Sequence, residues 1–75
     1  MRIYILSKKV FASNDNVCVS SDIQKIKKSI CKDFVPGEDY PELEIWEDEK
    51  KIMTVEGGKV LHQIAKEMYQ LSEAV

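Results

Sequence analysis

The sequence predicts an α+β fold. Two layers are expected, with a three- to four-stranded, mainly antiparallel sheet carrying both helices on one face. Three observations predict it. Pro41 to Gly57, PELEIWEDEKKIMTVEG, alternates in polarity like a β-hairpin. Ile23, Ile26, Ile30 and Phe34 recur at helical spacing, as do Val60, Leu61, Ile64, Ala65, Met68, Leu71 and Val75. RIYILS near the N-terminus is a β-branched and aromatic run. The order is β-(β)-α-β-β-α. Seventy-five residues make one domain, residues 1–75. A chain this short buries only about 60% of its unfolded surface.

Arg2 to Ser7 is the first strand. Both its faces are apolar, Ile3 and Ile5 on one and Tyr4 and Leu6 on the other, as suits a central strand. Lys8 to Phe11 could extend it. Ser13-Asn14-Asp15-Asn16 reads as a turn cluster, and Val17-Cys18-Val19 as a short strand. Ser21-Asp22-Ile23-Gln24 has the form of a capping box, with Ser21 as the cap of a helix over 22–34. Pro36 and Gly37 end that helix. Gly57-Gly58 breaks the last strand, and Lys59 to Val75 forms the second helix.

The hairpin register follows from its alternation. A three-residue loop, Asp48-Glu49-Lys50, pairs Ile45 with Met53, Leu43 with Val55 and Glu47 with Lys51. It is preferred to a two-residue loop because it gathers more apolar surface on one side. Ile3, Ile5, Leu43, Ile45, Met53 and Val55 then meet the helices. Tyr4, Leu6, Trp46 and Ile52 fall on the uncovered face beside Glu42 and Glu44. Monomers seldom leave a large apolar patch in water, so this face is expected to bind something.

Net charge is −2, unevenly spread. Residues 1–32 carry seven basic and two acidic side chains, and residues 33–75 carry four basic and eleven acidic. Seven of those acids lie between Glu38 and Glu49. Such asymmetry favours charge-steered partners. Lys25, Lys28 and Lys32 share a face of the first helix and define the alternative, nucleic-acid binding. No apolar run approaches a membrane span and no signal peptide is legible, so a cytoplasmic location is expected. Cys18 and Cys31 fit a reducing compartment and structural roles.

No catalytic, metal or cofactor motif is legible. His62 has no ligand-type partner at i+4. Cys31 beside Lys27, Lys28 and Lys32 lacks a base. The acidic run lacks the spacing of an EF-hand loop. The expectation is a non-catalytic protein-binding module, acting on a protein target or on itself.

IYIL at the start, Val17-Cys18-Val19-Ser20-Ser21-Asp22 opening a Lys-rich helix, and PELEIWEDEKKI together resemble small proteins of phages and mobile elements in Gram-positive bacteria. The resemblance is of pattern and covers residues 2–56. Those proteins usually place Gly in the hairpin turn, where this chain has Asp48-Glu49-Lys50. The resemblance implies an accessory protein in a host cytoplasm that inhibits a host defence protein by binding through an acidic and apolar surface. It assigns no residue roles.

Overall fold

The computed structural model describes residues 1–10, 13–35 and 37–73, with the side chains of 10, 13, 14 and 71–73 outside the description. Its elements are β1 (Arg2–Val10), β2 (Ser13–Ser20), α1 (Ile23–Asp33), β3 (Tyr40–Glu47), β4 (Lys50–Glu56) and α2 (Gly58–Glu73). The strands form one antiparallel sheet in the order β2-β1-β3-β4. Helix α1 packs on β2 and β1, α2 packs on β4 and β3, and the helices touch each other. The expected two-layer α+β architecture is therefore present, and β1 is central.

Residues 13–16 are strand, not turn. Lys8 pairs with Asp15, Ser7 with Asn16 and Leu6 with Cys18, leaving Val17 as an additional residue in a bulge. An edge strand tolerates polar side chains because they reach solvent, as Asp15 and Asn16 do. The helix cap is also shifted by one residue. Asp22, not Ser21, is the N-cap: its carboxylate accepts from the Gln24 N–H at 3.0 Å, and Ser20 Oγ accepts from the Asp22 N–H. Asp and Ser cap equally well, so local chemistry does not choose between them.

In the β3–β4 hairpin, Ile45 pairs with Met53 and Leu43 with Val55, as the alternation requires. The loop is nevertheless two residues long. Asp48 and Glu49 both take positive φ, 50° and 71°, as a twist-matched two-residue turn demands. Glu47 therefore pairs with Lys50, and Trp46 with Lys51. The odd residue sits in a bulge as Ile52, 48% exposed on the edge strand, and Lys51 instead stands across from Trp46.

The assignment of β1 faces is inverted. Tyr4 and Leu6 pair with Ile45 and Leu43 and lie in the core with Ile23, Ile26, Ile30, Phe34, Val60 and Ile64. Leu6 is fully buried. Ile3 and Ile5 pair with Trp46 and Glu44 on the face away from the helices. Both β1 faces are apolar, so alternation alone does not say which is covered. On α2, Glu67 is buried, whereas Leu61 and Ala65 of the expected stripe are exposed.

Candidate functional site: two surfaces for binding

The open sheet face is built from rows that cross the strands. One row runs Val19, Ile5, Glu44, Thr54, and the next Ile3, Trp46, Lys51. Val19 is 58% exposed; Ile3, Ile5 and Trp46 are half-buried by their neighbours. The Trp46 indole N–H donates to Glu44 Oε1 at 3.1 Å, and Lys51 Nζ lies 3.9 Å from the same oxygen. These bonds fix the ring's polar edge and leave an apolar body with a charged border. An aromatic with one tied polar atom suits a binding anchor.

Further along the same face, Ser7 pairs with Glu42 and Glu42 with Glu56. Lys9 Nζ bridges the two carboxylates, 2.8 Å from Glu56 and 3.6 Å from Glu42. The hydrogen bond from Lys9 holds the Glu56 carboxyl below the usual range, and Glu56 in turn raises the Lys9 ammonium. Glu42 is buried beneath this bridge and is not a solvated rim.

Of the residues expected on this face, Trp46, Glu44 and Glu42 are there. Tyr4 and Leu6 are in the core, and Ile52 is in the edge bulge. Ile3, Ile5 and Val19 take their place. Their signal was present, since Ile3 and Ile5 are the other apolar face of β1, but it did not distinguish inside from outside.

Tyr4 instead joins a buried polar cluster under α2. Arg2 Nη1 donates to both Glu67 oxygens at 2.6 and 2.7 Å, Tyr4 Oη donates to Glu67 at 3.2 Å, and Gln63 Nε2 donates at 3.2 Å. Arg2 also reaches Glu47 at 3.3 Å. Four hydrogen bonds satisfy the buried Glu67 carboxylate, and they tie the start of β1 to α2.

A second surface lies between the helices. At the C-terminal end of α1 a groove of 660 Å³ is lined chiefly by Phe34, Val35, Tyr40, Pro41, Gly57 and Leu61. Gly57, with φ 62°, lets the chain turn into α2 against the Tyr40 ring, where a Cβ would stand 3.1 Å from Tyr40 Oη. A shallower cavity continues along α1, lined by Gln24, Lys27, Lys28, Cys31 and Met68. Cys31 borders both. The alternation and stripe patterns did not reveal this furrow. The broad α2 stripe reads as a helix packed on a sheet, yet its Leu61 lines the furrow instead.

Lys25, Lys28 and Lys32 are exposed on α1 and form no ion pair among the described residues. No group of three or more potential metal-binding side chains occurs among the described residues. No described helix is long and apolar enough to cross a membrane. No protein-family model, curated protein or solved structure matches this chain.

Proposed function

We propose that the protein is a non-catalytic binding module whose open sheet face captures a protein target. The apolar patch of Ile3, Ile5, Val19 and Trp46, spread over two neighbouring rows on the side without helices, carries this reading. Trp46 is the anchor, and Glu44, Lys51 and Thr54 form the polar border that sets orientation. The resemblance to phage and mobile-element proteins supports placing the target among host proteins, defence proteins included, in the host cytoplasm, with inhibition by occlusion. The competing reading is nucleic-acid binding through Lys25, Lys28 and Lys32, supported by their exposure together on α1 with no ion pair among the described residues.

One experiment separates them. The immobilised chain is presented with host lysate, and each captured protein is purified and titrated against wild type and variants by isothermal calorimetry, a readout that does not depend on Trp46. Trp46→Ala and Ile5→Ser should weaken binding at least tenfold while circular dichroism stays unchanged. A duplex and a single-stranded oligonucleotide are titrated in parallel at rising salt. Submicromolar oligonucleotide binding that weakens steeply with salt and disappears on charge reversal at Lys25, Lys28 and Lys32 would favour the other reading. Capture that survives both sheet-face substitutions would overturn the proposal.

A further inference from the structure

We infer that a second copy of this chain docks in the furrow between α1 and α2, forming a two-fold dimer through the helix layer. The furrow's charges carry the inference. Lys27 and Lys28 line one cavity, Glu38 and Asp39 line the other, and Cys31 borders both. Asp39 is already held by Lys8 at 3.4 Å. Lys27, Lys28, Cys31 and Glu38 are exposed, and neither these lysines nor Glu38 has an ion-pair partner among the described residues.

A two-fold operation about an axis near Cys31 reverses this order. It sets the lysine pair of one copy over Glu38 of the other, twice. An isologous interface requires a surface that is complementary to itself under such a reversal. A partner of a single charge would meet repulsion at one end of the furrow.

The surface between the charged ends is apolar. Val35 is 50% exposed and Leu61 is 56% exposed, both at the groove. Exposed aliphatic side chains flanked by charges of both signs match the apolar centre and polar rim of a protein interface. A standard interface takes about 800 Å² per partner, a modest share of the 5394 Å² that the chain exposes. The dimer would leave both open sheet faces pointing outward. Target binding would then be bivalent and gain from effective concentration.

The test is charge-reversal rescue, read by sedimentation of the full chain under reducing conditions. The wild type should sediment as a dimer. Lys27→Glu combined with Lys28→Glu, and Glu38→Lys alone, should each weaken self-association at least tenfold, because both ends of each homodimer become repulsive. An equimolar mixture of the two variants should restore the dimer, since every facing pair is again opposite in sign. A short bismaleimide should link wild-type copies and fail with Cys31→Ser, which stays dimeric. Circular dichroism confirms that each variant is folded. A monomeric wild type, or a mixture that stays monomeric, would overturn the inference. So would a dimer abolished by Trp46→Ala but not by the charge reversals, which would move self-association to the sheet face. The Trp46 variant therefore also distinguishes failure here from failure of the target-binding reading.

Discussion

Tyr4 shows how one hydroxyl links the sheet to α2. Its phenol donates to the buried Glu67 carboxylate, which also receives Arg2. Burial and the negative charge of Glu67 raise the Tyr4 pKa above 10.0. Burial opposes the charge on Arg2, but Glu67 and Glu47 outweigh it and raise its pKa as well. The phenol is neutral in both folded and unfolded chains at neutral pH. Above 10.0 the unfolded chain gives up the proton while the folded chain keeps it, so stability falls as pH rises. Tyr4→Phe should flatten this alkaline slope and cost about 1 kcal/mol at neutral pH for the lost hydrogen bond. Urea unfolding from neutral pH to about pH 11 checks it. A slope that Tyr4→Phe leaves unchanged would place the alkaline sensitivity elsewhere.

At the scale of elements, the start of α1 and the β3–β4 turn both depend on one residue of register. The Asp22 carboxylate satisfies an otherwise unpaired N–H at the helix start and places negative charge against the positive end of the helix. Asp22→Ala should cost about 1 kcal/mol. Ser21→Ala should stay within about 0.5 kcal/mol, because Ser21 is exposed and holds no cap. Thermal unfolding of the two variants decides which residue caps. In the hairpin, seven residues separate Ile45 from Met53 whether the odd one is in the loop or in a bulge. The core pairs were therefore legible from alternation, while the two-residue turn and the Ile52 bulge were not. Strand twist made that choice, since it favours a turn with two positive-φ residues.

At the scale of the molecule, the decisive question is which side of β1 the helices cover. Leu6 is fully buried and Ile5 faces outward. Leu6→Ala should cost about 2–5 kcal/mol, enough to leave a domain of this size largely unfolded. Ile5→Ala should cost about 1 kcal/mol or less and leave the fold intact. Chemical denaturation of the two variants is the check, and the reverse ranking would restore the opposite face assignment. The candidate site depends on the same inversion. Trp46 and Glu44 were placed on the open face from the hairpin alone. Their neighbours Ile3, Ile5 and Val19 follow only from the pairing of β1 with β3 and β2.

The sequence by itself determined the class, the order of elements, both helices and the Ile45–Met53 and Leu43–Val55 pairs. Each of these rests on local periodicity or on a short-range turn. Tertiary structure decided what periodicity leaves degenerate. It chose between two apolar faces of β1 by carrying Arg2 and Tyr4 to Glu67, a residue 63 positions beyond Tyr4. It also opened the furrow between α1 and α2, whose walls come from segments distant in sequence. A strand with one apolar face announces its own orientation. A strand with two must wait for its partners, because burial is a property of the assembled layers.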